Sequence, residues 1–170
     1  LKGYLEYELP QAKKLISDKH LPNMPDEFHH KYNMPTSKRH VFVMPWYEGV
    51  PLDEILTAQG LEQYAPHMDE IVLQCAKQLW RLHEKRSNGK KMIHGDIASS
   101  QFIVNLKGNQ VTVQLVDLGN AILIPEGQNS IQACKRGTPN FAAPEIVKNG
   151  EFSQSSDCYA FGCILESFPQ

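Results

Sequence analysis

Two apolar runs separated by a tight turn constrain this sequence more than any other feature. The runs extend from Gln101 to Leu106 and from Val111 to Val116, and the turn between them is Lys107-Gly108-Asn109-Gln110. Alternating apolar side chains and β-branching around a Gly/Asn turn predict a β-hairpin. Asp96 precedes the first strand and Asp117 follows the second. Because an antiparallel hairpin brings those ends together, we expect adjacent carboxylates that suit metal-assisted transfer, one as base and one as cation ligand.

The composition indicates an ordinary globular protein. The chain has 170 residues, 41% of them hydrophobic and 21% charged, and its formal net charge is −2. This near-neutral balance gives no electrostatic support for nucleic-acid binding. Since no apolar run approaches the ~20 residues that span a bilayer, we expect no membrane segment. The cysteines form no CxxC pair, which predicts free thiols in a reducing cytosol and therefore a cytoplasmic protein.

Three motifs follow one another along the chain, within and beyond the hairpin region. They are His94-Gly95-Asp96 with Gln101 five positions after the aspartate, then Asp117-Leu118-Gly119, then Ala143-Pro144-Glu145. In order and spacing they resemble the catalytic loop, the metal-binding Asp-Phe-Gly motif and the Ala-Pro-Glu motif of eukaryotic-type protein kinases. The resemblance implies an α+β, protein kinase-like fold.

The resemblance covers nearly all of residues 1–170 but only part of a kinase domain. It implies that residues 1–44 are the remainder of the small lobe (N-lobe), that residues 45–52 are the hinge, and that residues 53–170 are a partial, mostly helical large lobe (C-lobe) containing the hairpin. These 170 residues contain neither a Gly-rich phosphate loop nor a strand lysine, and they do not contain the late C-lobe helices of such a domain. Since the chain begins at Leu1 and not at a methionine, we expect a fragment. Because the lysine strand and the Gly-rich loop would supply most of the phosphate cradle, we expect these 170 residues to be inactive on their own.

The resemblance also implies a reaction, namely phosphoryl transfer from ATP, with Mg²⁺, to Ser/Thr hydroxyls of a protein substrate. Asp96 would accept the hydroxyl proton or orient the attacking oxygen, and Thr138 would hydrogen-bond near it. Asp117 would bind the Mg²⁺ that bridges the nucleotide phosphates, and Gln101 would stand in the place of the asparagine that binds the second metal. The stretch around Thr138, residues 137–141, resembles the segment that positions a Ser/Thr-bearing peptide.

An adenine pocket at the hinge is a further implication of the resemblance. Met44 would be the gatekeeper, and backbone groups of Pro45, Trp46 and Tyr47 would border the purine. Because proline has no N–H, the contact would fall to the Pro45 carbonyl and to Tyr47. Ile103 on the first hairpin strand would form part of the pocket floor. An ordinary strand-to-helix turn is the alternative interpretation of the hinge stretch.

Two acidic residues outside the motifs allow two interpretations each. Glu8 resembles the helical glutamate that orients the nucleotide-binding lysine, but with Pro10 nearby it could equally be a solvated helix-face carboxylate. Asp157 resembles the aspartate that holds the backbone of the catalytic loop, or it could be a helix N-cap.

The surrounding secondary structure is predicted from residue patterns. Residues 66–84 carry apolar side chains at helical spacing and predict a core helix. Residues 120–141 predict a long polar loop.

Four positions depart from the kinase pattern. Gly95 replaces an arginine that could grip a phosphorylated loop, Gln101 replaces a metal-binding asparagine, Ala98 stands where a lysine is usual, and Leu118 replaces phenylalanine. The first three favour a pseudokinase that serves as a binding or scaffold module. A kinase-like small-molecule phosphotransferase is a further alternative, which Ala143-Pro144-Glu145 argues against.

Overall fold

The computed structural model describes residues 32–33, 40–41, 46–57, 62–84, 91–133 and 137–168. The chain divides into two compact units, residues 1–46 with 118–120 and residues 47–117 with 121–170. In the first unit, strands β1 (Tyr32–Asn33) and β2 (His40–Val41) pair antiparallel. Glu8, Met44 and Pro45 lie outside the described residues. Their predicted roles, and the lobe boundaries at residues 44 and 52, stay predictions.

The second unit mixes short antiparallel sheets with helices. Its elements in chain order are strand β3 (Val50–Pro51), helix α1 (Leu52–Ile55), helix α2 (Met68–His83), strands β4 (Lys91–Ile93), β5 (Phe102–Lys107), β6 (Gln110–Leu115), β7 (Ile122–Ile124) and β8 (Ser130–Gln132), helix α3 (Pro144–Asn149), strand β9 (Glu151–Ser153) and helix α4 (Gln154–Glu166). The sheets are β3-β5-β6, β4-β7 and β8-β9, each antiparallel. The predicted α+β class is confirmed.

The predicted hairpin is present as strands β5 and β6. Its register runs from Phe102 opposite Leu115 to Lys107 opposite Gln110, which leaves two residues in the turn. Gly108 begins that turn with φ of +60°, as two-residue hairpin turns of the primed types require. The backbone N–H of Val116 donates to the Gln101 carbonyl at 2.9 Å. The hydrogen bonding between the two strands therefore continues one residue beyond β5 and β6.

Helix α2 packs against β6 and supplies one side of the core. Its buried side chains are Ile71, Cys75, Leu79 and Leu82, as the helical spacing predicts. Burial raises the pKa of the Cys75 thiol to about 12, so this cysteine packs as a small apolar group. No helix among the described residues combines the length and the apolar character that a membrane crossing requires.

The region predicted as one polar loop, residues 120–141, contains two strands instead. Strand β7 pairs with β4, and β8 pairs with β9 through Ile131 opposite Phe152. Ile131 packs against a buried cluster made of Ile93, Ile124, Ala143, Ile146 and Phe152. The prediction was wrong here because three-residue strands are too short to show alternation, and their apolar side chains gain burial only from distant partners.

Gly49 stands at a position where a side chain has no room. Its φ is +142°, and a Cβ there would lie 2.5 Å from the carbonyl oxygen of Val104 on β5. Gly108 also has positive φ (+60°), but open space surrounds it. We expect Gly49→Ala to lower the melting temperature well below that of Gly108→Ala, because Gly108→Ala adds only the backbone strain of about 1–2 kcal/mol. Thermal unfolding of both variants checks this, and equal shifts would contradict it.

Candidate active site

A buried carboxylate on α4 holds the backbone of the loop that contains Asp96. Asp157 is 2% exposed. Its Oδ2 accepts the backbone N–H of His94 at 2.7 Å, and its Oδ1 accepts that of Gly95 at 2.9 Å. The ring Nε2 of His83, at the end of α2, lies 2.8 Å from the same Oδ2. The loop preceding Asp96 is therefore fixed to both long helices.

The N-cap interpretation of Asp157 is wrong, because α4 begins three residues earlier. Ser153 is the N-cap, and its hydroxyl accepts the backbone N–H of Ser156 at 3.2 Å. Asp157 lies within the first turn, where its carboxylate can face the loop. The predicted hold on the loop backbone is confirmed by the two hydrogen bonds.

Gln154, in the same turn of α4, adds a second connection. Its side-chain amide donates to the His83 carbonyl at 2.6 Å and lies 3.4 Å from the Met92 carbonyl on β4. Together with Asp157, it joins the start of α4 to the end of α2 and to the strand that leads into the loop.

The carboxylate of Asp96 is oriented by Thr138. Its Oδ1 accepts both the backbone N–H of Thr138, at 2.7 Å, and the Thr138 hydroxyl, at 2.8 Å. The hydrogen bond implied by the resemblance is therefore present. Thr138 is itself held in a turn, since its carbonyl accepts the N–H groups of Phe141 and Ala142 at 3.1 and 3.2 Å. Asp96, Thr138 and Phe141 line one cleft.

His94 is a buried structural residue. It is 0% exposed, and its Nε2–H donates to the Val116 carbonyl at 3.1 Å. The other ring nitrogen, Nδ1, is buried and has no hydrogen-bond partner among the residues that the structure describes. The buried ring therefore ties the loop to the end of β6.

Asp117 has a strained backbone. Among the described residues, positive φ outside glycine occurs at Asp117 (+59°) and Asn140 (+78°). Such conformations cost about 1–3 kcal/mol and persist where the surroundings impose them, often at functional sites. The backbone hydrogen bond from Val116, the residue before Asp117, to Gln101 places the backbone at this end of β6 beside Gln101.

The donor set at this end of the hairpin fits Mg²⁺. Asp117 and Gln101 supply a carboxylate and an amide oxygen, and Mg²⁺ takes few protein ligands together with substrate phosphates and waters. In the described ranges, no group of three or more His, Cys, Asp and Glu side chains could form an all-protein metal cage. The assignment of Mg²⁺ to Asp117 and Gln101 stays a prediction.

Of the residues that the hinge prediction places around the adenine, the structure describes Trp46 and Tyr47. Trp46 is 89% exposed, whereas Tyr47 is half-buried, and burial raises the pKa of its hydroxyl. Ile103 is half-buried on β5, opposite Pro51. Their predicted contacts with adenine stay predictions.

Several residues of the site were not predicted from the sequence. They are His83, Gln154 and Ser156. Each bonds a residue on another element, and His83 and its partner Asp157 are 74 positions apart in the chain. A histidine at a helix C-terminus is explained by the helix dipole alone, so the local pattern carried no further signal.

We expect Asp157→Asn to loosen the loop that precedes Asp96. The amide would place an N–H₂ group against a backbone donor, and the unfolding free energy should fall by about 2 kcal/mol. The matched control is Asp69→Asn on the exposed first turn of α2, which should cost less than about 1 kcal/mol. Urea unfolding and amide exchange at His94 and Gly95 check this. Equal losses in the two variants would contradict it.

Comparisons with known proteins agree with this geometry. The family model described as a protein kinase domain matches residues 19–168. The LRR receptor-like serine/threonine-protein kinase FEI 2 of Arabidopsis thaliana is 32% identical over 133 residues, 78% of this chain and 21% of that protein. Serine/threonine-protein kinase Nek1 of Mus musculus is 33% identical over 125 residues, 72% of this chain and 10% of that protein.

A third relative is named as an inactive kinase. Inactive serine/threonine-protein kinase PLK5 of Mus musculus is 38% identical over 85 residues, 49% of this chain and 13% of that protein. The chain spans about a fifth or less of the length of these relatives. With the kinase domain model covering most of its length and the motif residues held as described above, the chain belongs to the protein kinase family.

Proposed function

We propose that this chain is part of an active protein kinase that transfers the γ-phosphoryl group of ATP to Ser or Thr hydroxyls of protein substrates. The observation that carries the proposal is the double hydrogen bond from Thr138 to Asp96, on a loop anchored by Asp157. Phosphoryl transfer needs positioning and charge stabilisation more than covalent chemistry by the protein. A carboxylate held from two sides meets the first need.

Each acidic residue has a distinct task in this proposal. Asp96 accepts the proton of the substrate hydroxyl or orients the attacking oxygen. Asp117, with Gln101, holds Mg²⁺, which neutralises phosphate charge when bound. Gln101 retains an amide oxygen in place of the usual asparagine, one methylene farther from the backbone.

Nucleotide binding is assigned to the hinge and its neighbours. The backbone of residues 45–47 borders the adenine, with Met44 as gatekeeper and Ile103 in the pocket floor. Glu8 orients the nucleotide-binding lysine. The described cysteines, which are unpaired, support a cytoplasmic location as part of the proposal.

A pseudokinase is the second candidate, and specific residues favour it. Ala98 and Gln101 replace residues that contact the phosphate and a metal ion, Gly95 replaces an arginine that could grip a phosphorylated loop, and one relative carries the word inactive in its name. The retained pair Asp96 and Asp117 favours the active enzyme. A small-molecule phosphotransferase is disfavoured because residues 137–141, which resemble a peptide-positioning segment, contact Asp96 through Thr138.

The two aspartates should separate binding from chemistry in the full-length protein. We expect Asp117→Ala to abolish the Mg²⁺-dependent thermal stabilisation by ATP, because it removes the carboxylate ligand. We expect Asp96→Asn to keep that stabilisation and to lower peptide phosphorylation about 10²–10⁴-fold. Asp69→Asn, on the exposed turn of α2, should change neither. Wild-type stabilisation without phosphorylation would favour the pseudokinase.

Activity should not depend on phosphorylation of the segment that follows Asp117. Gly95 offers no cationic side chain to a phosphate, and strand pairs β4-β7 and β8-β9 already order residues 122–132. We expect phosphatase treatment of the purified full-length protein to leave its peptide phosphorylation rate within about twofold, a change of under about 0.5 kcal/mol in barrier. A loss that re-phosphorylation restores would contradict this.

A further inference from the structure

A buried serine hydroxyl joins helix α3, which follows the turn at residues 137–141, to helix α4, which anchors the loop that contains Asp96. Ser156, on the first turn of α4, is 2% exposed. Its hydroxyl donates to Oε1 of Glu145, on the first turn of α3, at 2.8 Å. Glu145 is half-buried, so this bond forms away from bulk solvent.

The proton positions around Ser156 follow from counting donors. Its single O–H is committed to Glu145, which accepts only. The hydroxyl of Ser153, 3.2 Å away, must therefore donate to the Ser156 oxygen, which also accepts the Ser153 backbone N–H at 3.3 Å. Ser156 thus has one donated and two accepted bonds, and every one depends on its oxygen.

The bond connects two structures that the proposed reaction has to keep aligned. Helix α3 begins at Pro144, directly after the turn whose Thr138 orients Asp96. The residue after Ser156 is Asp157, which fixes the backbone at His94 and Gly95. The turn at residues 137–141 and the loop that contains Asp96 are therefore linked through the neighbouring side chains of Ser156 and Asp157.

We propose that Ser156 is a positioning residue for transfer to protein substrates, acting through Glu145 on the 137–141 turn. This rests on the proposed kinase function. The helix itself has its N-cap in Ser153, whose hydroxyl accepts the N–H of Ser156 whatever side chain stands at 156. Ser156→Ala keeps that cap bond but removes the reciprocal bond of the capping box, from the Ser153 N–H to the Ser156 hydroxyl, together with the contact to Glu145 that links α3 to α4.

The test uses the full-length protein and a matched pair of variants. Ser156→Ala removes the hydroxyl, and Ser155→Ala removes the exposed hydroxyl one position earlier on the same turn. Two reactions are measured with Mg²⁺-ATP: phosphorylation of a degenerate Ser/Thr peptide mixture, and ATP hydrolysis without peptide. Hydrolysis uses water as acceptor and does not need the peptide-facing turn.

We expect Ser156→Ala to lower kcat/KM for the peptides about tenfold while ATP hydrolysis stays within about twofold, because a small displacement of the turn affects only the bound peptide. Ser155→Ala should change neither rate. In a Glu145→Ala background, Ser156→Ala should lower the peptide rate much less than in the wild type, because the contact between the two side chains is already lost and only the capping-box bond remains to be removed. Equal losses in both reactions, an unchanged peptide rate, or additive losses would overturn the proposal.

Amide hydrogen exchange separates this proposal from the proposed function. If the wild-type protein transfers no phosphate, the kinase proposal fails, but exchange over residues 137–149 still reports the contact. Faster exchange there in Ser156→Ala than in Ser155→Ala supports the role of Ser156. Unchanged exchange overturns it whether or not the protein is active.

Discussion

The structure of the site depends on one carboxylate accepting two backbone N–H groups. Asp157 is buried, and it would carry a large desolvation cost without the donors from His94, Gly95 and His83. Those bonds repay that cost and fix the backbone that leads into Asp96. The side chain of Asp96 is then oriented by the two hydrogen bonds that its Oδ1 accepts from Thr138.

Helix α4 is the element through which this arrangement is held together. Its first turn carries Gln154, Ser156 and Asp157, which reach α2, α3 and the loop respectively. A capping box between Ser153 and Ser156 fixes where the helix begins, and therefore which of these side chains faces which partner. A shift of the helix start by one residue would rotate all three away from their partners by about 100°.

The sequence predicted those parts of the fold that repeat over many residues. The hairpin and helix α2 have long periodic patterns, and both are confirmed. Strands β4, β7, β8 and β9 have three residues each and were not predicted. Of the site, the resemblance predicted that Asp157 holds the loop and that Thr138 bonds near Asp96. The partners His83 and Ser156 depend on helix packing, which no local pattern encodes.

The central claim is that the positioned Asp96 serves phosphoryl transfer to protein hydroxyls, and the phosphorylated product tests it most directly. The full-length protein would be incubated with Mg²⁺-ATP and a mixture of Ser-, Thr- and Tyr-containing peptides, and the modified residues would be mapped by mass spectrometry. The account predicts phosphate on Ser and Thr, absent when Asp96 is replaced by Asn. No phosphorylated peptide despite nucleotide binding, or phosphorylation that survives Asp96→Asn, would contradict it.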